Sequence, residues 1–366
     1  MKIICIKNQL KEILFLAEKN AGKILNMPIL NGVYLKTEKN YLKVISTNLE
    51  TGFEGIIPVK VQKEGEVVVP VKILAQLVGS SCEDKITLES IKNNLNVSTE
   101  KVSSFIKGYS IEDFPKIPSI KSINKFDISS KDLSSALKFV QNAASISIMK
   151  PEISSVFFNV QNKNFIKIAA TDSFRLAEKT LEYNIKGTDS FLIPGKSAAE
   201  LSRILENKEE NIKITFDKNQ IGFYGDNFKF VSRLTEGTFP SYESVIPKKF
   251  STEVLIARSR LMDAFRSASI FTGNLNEISL NIIPEDNLLE IRTKHSDIGE
   301  HTSQIDAKVT GEKIALNFNY HYVLDGLQNM NHSDVLLRFS GENRPLLMQE
   351  PNNSQGIYLV MPMKNA

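Results

Sequence analysis

The sequence predicts an α+β fold written three times over, and three recurrences carry that prediction. A strand ending on threonine appears at Tyr41 to Thr47, Phe165 to Thr171 and Asn287 to Thr293, the threonines spaced by 124 (47 to 171) and 122 (171 to 293). A helix running into a strand appears at Pro70 to Leu77 before Lys85 to Leu88, at Pro194 to Leu201 before Asn211 to Phe216, and at Asn319 to Leu327 before Asp334 to Phe339. An amphipathic helix appears in each third. Its apolar stripe at i, i+3, i+4 and i+7 is Leu10, Ile13, Leu14 and Ala17, then Leu133, Ala136, Leu137 and Val140, then Leu261, Ala264, Phe265 and Ala268. Self-similarity at a long fixed period marks a repeat architecture.

Taken in order, the chain opens with Ile3 to Ile6, an apolar block short enough for one strand, and the first amphipathic helix follows. Short alternating strands fill the rest of each third. Phe165, Lys167 and Ala169 face one way and Ile166, Ile168 and Ala170 the other. The pattern then breaks at Thr171-Asp172-Ser173, residues whose side chains bond nearby backbone and favour turns. Proline-bearing stretches close the first two units, at Phe114 to Pro118 and Phe239 to Pro247. Phe105 precedes Phe114 and Phe230 precedes Phe239 by the same interval of 9. The predicted units are 1–121, 122–248 and 249–366, each with two helices among antiparallel strands and joined edge to edge without a long linker.

At 366 residues the chain exceeds one comfortable core. With 42% hydrophobic and 24% charged residues its composition is that of a soluble globular protein. No apolar run approaches the roughly 18 residues of a membrane span, and a cytoplasmic location is expected. Two cysteines, Cys5 and Cys82, are too few for a disulfide framework or a four-thiolate zinc site. His295, His301, His321 and His332 show no metal-ligand spacing, so neither metal nor cofactor is expected.

A net charge of +3 from 45 basic and 42 acidic residues permits contact with nucleic acid without announcing it. Clustering is more telling than the total. Lys131 with Lys138, and Lys196 with Arg203, lie one heptad apart, on one helix side, away from the apolar stripe. The first unit adds Lys7, Lys11, Lys19, Lys23 and Lys72, the third Arg258, Arg260 and Arg266, whereas the helix at Asn319 to Leu327 carries no cation. Such faces suit a phosphate backbone. No aromatic-interleaved basic stretch and no recognition-helix signature is present, so contact with duplex DNA is expected to be blind to sequence.

Two leads toward an enzyme weaken on inspection. Gly195-Lys196-Ser197 stands between a strand and a helix, but a phosphate-binding loop needs a glycine where this chain has Ser190. Asp172 beside Arg175 reads more naturally as a turn residue capping backbone amides than as a catalytic acid.

Several segments together resemble one family over the whole length: Met27 to Leu30, Thr47 to Glu50, Thr171-Asp-Ser-Phe-Arg-Leu-Ala177, Phe239-Pro-Ser-Tyr242, Phe318 to Asp325 and the ending Tyr358-Leu-Val-Met-Pro-Met363. The chain is similar to the bacterial DNA polymerase III β subunit, the sliding-clamp family. The resemblance implies three DNA-clamp domains, a head-to-tail homodimer closing a six-domain ring around duplex DNA, and a processivity role without catalysis. It implies helix cations facing the DNA, with Lys11, Lys23, Lys72, Lys131, Lys138, Lys196, Arg203 and Arg266 the expected set. It places the dimer contact at Phe105, Ile106 and Lys107 of the first domain against Ile270 and Phe271 of the third.

It also implies a shallow cleft that captures short peptides from the replicative polymerase, the clamp loader, other polymerases and repair proteins. Carried over, the cleft comprises Ile153, Thr171, Ser173, Phe174, Arg175, Leu176, Pro240, Val245, Leu359, Met361, Pro362 and Met363. Methionines suit such a pocket because they adapt to varied apolar partners. Phe174 stands where the family commonly has His, Ser244 where members of the family carry Arg, and Lys364-Asn-Ala366 where the family ends on a basic residue and Leu. Thr47-Asn-Leu-Glu50 and Thr293-Lys-His-Ser296 lack the Arg-Leu-Ala of the middle copy, so the peptide is expected there. The alternatives are a nucleotide-dependent enzyme using Gly195-Lys196-Ser197, or an ordinary non-specific DNA-binding module.

Overall fold

The computed structural model describes residues 1–22, 26–118, 120, 125–147, 149–161, 164–183 and 189–363. Among these, six α-helices pack with four sheets whose strands all pair antiparallel. The chain divides into two compact units, Met1–Ser134 with Ala199–Leu234, and Ser135–Ala198 with Thr235–Ala366.

In the first unit, α1 (Lys7–Asn20) packs on α2 (Val71–Ser80). The predicted stripe of Leu10, Ile13, Leu14 and Ala17 is buried, and each of its two leucines and its isoleucine stabilises the fold by about 1.5–3 kcal/mol. A five-stranded sheet runs Lys60–Lys63, Lys2–Ile6, Lys85–Ile91, Asn94–Ser98, Ser103–Ile106. An eight-stranded sheet runs Lys125–Ser129, Asn211–Phe216, Gln220–Tyr224, Phe228–Arg233, Thr51–Pro58, Tyr41–Thr47, Gly32–Glu38, Glu66–Pro70. Its seam at Phe230 opposite Phe53 joins strands of the first and second sequence repeats edge to edge. The cut between units passes within α3 (Ser130–Val140) and α4 (Gly195–Ile204).

The second unit holds α5 (Arg258–Ser269) and α6 (Tyr320–Gln328). Its nine-stranded sheet runs Asp189–Pro194, Ser155–Gln161, Phe165–Thr171, Arg175–Glu182, Gly356–Val360, Leu346–Gln349, Asp334–Phe339, Thr252–Ala257, Lys308–Gly311. Here the seam lies where Arg175 faces Val360 and Leu176 faces Leu359, joining the second repeat to the third. A four-stranded sheet, Gly299–Asp306, Leu288–His295, Glu277–Ile283, Ile314–Asn319, completes the unit. Gly326 in α6 admits the ring of Tyr358, since a Cβ at that position would come within 2.7 Å of it.

Alternation along Phe165–Thr171 holds at Ile166 and Ile168, but Ala169 and Ala170 are both buried. The reason is local. Ala169 lies in an apolar cluster with Phe239 and Tyr242, so the strand is covered on both faces where it meets the turn.

Candidate functional site

The turn from Thr171 to Arg175 is built by its own side chains. The Thr171 hydroxyl donates to the Arg175 carbonyl at 2.7 Å and accepts the Ser173 amide at 3.2 Å, while Asp172 Oδ1 accepts the amides of Phe174 and Arg175, each at 2.9 Å. Ser173 sits at φ +77°, the left-handed region, held by these bonds. The closed loop lifts Phe174 outward, leaving it 59% exposed.

Arg175 points the other way, and only 8% of it is exposed. Its Nε donates to Asp172 Oδ2 at 2.9 Å, its Nη1 pairs with Asp325 on α6, and its guanidinium lies 4.5 Å from the ring centre of Tyr322. Burial alone would lower the pKa of this guanidinium. Tyr358 and the carboxylates of Asp325 and Asp172 outweigh burial and hold it raised, so the charge is fixed. Tyr322 also stacks with Phe174, the ring centres 6.4 Å apart. Asp172 therefore caps backbone amides, as the sequence suggested, and in addition pairs with Arg175.

Beneath the turn, Leu176 and Leu359 are buried side by side with Ala169, Leu192, Phe239, Tyr242 and Leu347, and Phe157, Ile246 and Phe250 pack around them. Phe157 and Phe239 stack in parallel at 4.7 Å. The Tyr242 hydroxyl donates to Glu178, which also pairs with Lys167 at 3.4 Å. After Tyr242 the short helical turn Glu243–Val245 leaves Val245 47% exposed, and Pro240 is exposed as well. The Met361 amide donates to the Phe174 carbonyl at 2.8 Å and the Met363 amide to the Asn317 carbonyl at 2.7 Å, pinning the half-buried Met361-Pro362-Met363 segment beside the turn.

Thus the structure brings Thr171 to Leu176 together with Leu359 to Met363, with Leu176 and Leu359 as their part of the buried apolar cluster. Ile153 is buried in the loop before Ser155–Gln161 and lies outside that apolar cluster. Sequence reasoning missed Tyr322, Asp325 and Ile246 as partners of the site. Tyr322 and Asp325 lie three apart and share one face of α6, but nothing in their spacing points to Arg175.

The first unit holds a sealed copy of this turn. Thr47 donates to the Thr51 carbonyl at 2.6 Å, Asn48 Oδ1 accepts the amides of Glu50 and Thr51, and Leu49 sits at φ +74°. The Arg233 amide donates to the Glu50 carbonyl at 2.9 Å, just as Met361 does to Phe174. Yet Gly52 stands where the second unit has Leu176, and Ile117 lies within 2.8 Å of the Cβ that Gly52 lacks. The chain fills that position with its own side chain.

The expected DNA-facing cations Lys11, Lys72, Lys131, Lys138, Lys196, Arg203 and Arg266 are all exposed on their helices. Arg203 pairs with Glu200 at 2.5 Å and Arg266 with Asp263 at 3.2 Å, exposed i,i+3 pairs worth little. Lys23 lies outside the described residues. Of the expected interface residues, Phe105 is 57% exposed on the edge strand Ser103–Ile106, Ile106 is buried and Lys107 is exposed. Ile270 is 68% exposed at the end of α5, and Phe271 stacks on His301 at 5.6 Å. Ile270 is thus not a core residue. Gly195 opens α4 with its amide donated to the Ser154 carbonyl at 3.0 Å, and a Cβ there would lie 2.8 Å from the same oxygen. Close backbone approach accounts for this glycine, and one N-terminal amide of the helix is already occupied.

Three family models match consecutive parts of the chain. The N-terminal, central and C-terminal domains of the DNA polymerase III beta subunit match residues 1–118, 127–241 and 243–364. A beta sliding clamp of Synechococcus elongatus is 26% identical, covering 100% of this chain and 99% of its own. That of Bacillus subtilis is 25% identical with full coverage of both. Among solved structures, the Bacillus subtilis DNA polymerase sliding clamp superposes with a TM-score of 0.90 at 25% identity, and the Thermotoga maritima DNA polymerase III beta subunit with 0.91 at 24%. Each covers 100% of both chains.

Proposed function

The chain belongs to the DNA polymerase III beta subunit family, and from that premise we propose that it is a DNA polymerase processivity factor: a sliding clamp that encircles duplex DNA and holds client proteins on it. The observation that carries the client role is the site at Thr171 to Leu176. A rigid turn and a pinned tail surround an apolar floor, and exposed Phe174, Pro240 and Val245 stand beside it. Such a surface holds a short apolar peptide by burial and needs no catalytic group. Tyr322, set by its stack on Phe174 and its contact with Arg175, belongs to the same surface.

Two copies, each with domains 1–121, 122–248 and 249–366, close the ring head to tail. The contact joins Phe105, Ile106 and Lys107 of one copy to Ile270 and Phe271 of the next. Unlike ends that meet either close or run on as a filament, and the edge strand carrying Phe105 suits closure. The exposed helix cations then meet phosphate without reading sequence, so direct affinity is weak and falls with salt. Tethering works through effective concentration: a polymerase that releases the primer stays linked beside it. Clients include the replicative polymerase, the clamp loader, other polymerases and repair proteins. Among the described residues no helix is long and apolar enough to cross a membrane, and we place the protein in the cytoplasm, where the chromosome lies.

Retention on DNA tests this reading. After loading onto nicked circular DNA, the protein is expected to stay until the circle is cut and then to leave from the ends. Equal departure rates from circular and linear DNA would show an ordinary DNA-binding module instead.

A further inference from the structure

Beside the apolar floor the surface continues into a second concavity of about 630 Å³, lined by residues from Glu243 to Lys249 together with Ser340 and Arg344. Two of its lining residues belong to the site already described. Val245 stands exposed, and Ile246 packs on the cluster of Leu176 and Leu359. Through Ile246 the concavity adjoins the apolar floor.

Its charge is one-sided. Lys248, Lys249 and Arg344 line it against a single carboxylate, Glu243, and all three cations are exposed. Among the described residues none of the three lies within ion-pair distance of a carboxylate, whereas the cations inside the cleft's frame, Lys167 and Arg175, are both paired. The walls are tied by hydrogen bonds to backbone carbonyls. The Ser340 hydroxyl donates to the Lys249 carbonyl at 2.8 Å, the Ser251 amide to the Phe339 carbonyl at 2.8 Å, and the Arg344 amide to the Gly341 carbonyl at 3.3 Å, with Gly341 at φ +120°. Cations on a pre-set frame lose less freedom when an anion arrives.

We infer that this concavity is an acid-binding extension of the peptide cleft: it receives Asp or Glu side chains flanking the apolar anchor of a client peptide. The inference rests on the peptide-binding reading of the cleft. The apolar floor supplies affinity common to all clients, and the cations rank those clients by the acidity of their flanks, an electrostatic preference that salt erodes.

Fluorescence anisotropy on the full chain tests it, with two labelled synthetic peptides that share a leucine–phenylalanine anchor. One carries two aspartates on each side and the other two serines. Binding of the acidic peptide is expected to be on the order of three- to tenfold tighter at low salt, the range of a few exposed ion pairs, with the difference shrinking at high salt. In the triple variant Lys248→Gln/Lys249→Gln/Arg344→Gln the preference is lost while the serine peptide binds as before, which also shows that the variant is folded. Equal binding of the two peptides to the unmodified chain, or a preference that survives in the variant, overturns the extension and leaves the cleft standing. Failure of both peptides to bind the unmodified chain overturns the cleft itself, and the extension with it.

Discussion

Arg175 shows how a residue of the proposed cleft can serve it without offering itself to a ligand. Its side chain is spent inward on Asp172, Asp325 and the face of Tyr322, and this fixes the base of the turn that displays Phe174. Arg175→Ala would leave two carboxylates facing each other across the space it occupied. Removing one partner of a buried pair costs several kcal/mol, and because Asp325 keeps about a third of its surface in water the expected loss is about 3 kcal/mol. A shift of the urea midpoint at unchanged slope measures it. A loss no larger than that of a surface substitution would mean that the network contributes nothing to stability. The turn itself was legible residue by residue, because Thr171 and Asp172 bond backbone within four positions of themselves. Tyr322 was not, since a helix face does not disclose which turn it will meet.

At the scale of elements, the seam between Arg175–Glu182 and Gly356–Val360 carries a polar pair beneath the cleft. Burial pushes the Tyr242 hydroxyl upward from its ordinary value, and the charge of Glu178 together with the hydrogen bond to it push it further. Burial raises Tyr358 as well. For a raised pKa the sign is definite. The folded chain keeps a proton that the unfolded chain releases above about pH 10, so this stabilisation is complete below that pH and is lost as pH climbs past it. Denaturant midpoints are expected to fall steeply above about pH 10. In Tyr242→Phe they should start lower at neutral pH, because Glu178 keeps only Lys167, and then fall less steeply. Parallel pH curves for the two proteins would rule out Tyr242 as the titrating group. The same scale separates the two copies of the turn: Leu176 lies in the apolar cluster under the proposed cleft in the second unit, whereas Ile117 over Gly52 fills the counterpart in the first.

For the whole molecule the proposed ring depends on two exposed edges. Ile270 at the end of α5 and Phe105 on the strand Ser103–Ile106 are large apolar side chains left in water by the single chain. Closure of the proposed ring would cover both side chains. Ile270→Asp with Phe271→Asp is expected to give a folded monomer, measured as the mass in solution by light scattering. A persistent dimer would move the interface elsewhere. The same variant should no longer be retained on nicked circular DNA, because an open arc has no topological hold.

By itself the sequence determined the repeat, the amphipathic stripes, the strand alternation and the self-bonded turn, because each is encoded within a few residues of itself. The stripe at Leu10, Ile13, Leu14 and Ala17 is buried as its period requires. The tertiary structure decided what no local pattern can carry. It paired Arg175 with Asp325 across 150 positions, set Leu176 against Leu359, and opened the basic concavity from Lys248 and Lys249 to Arg344. Such pairings arise from complementary faces brought together by strand register and packing. A sequence states which residues are near each other along the chain; only the folded sheet states which are near in space.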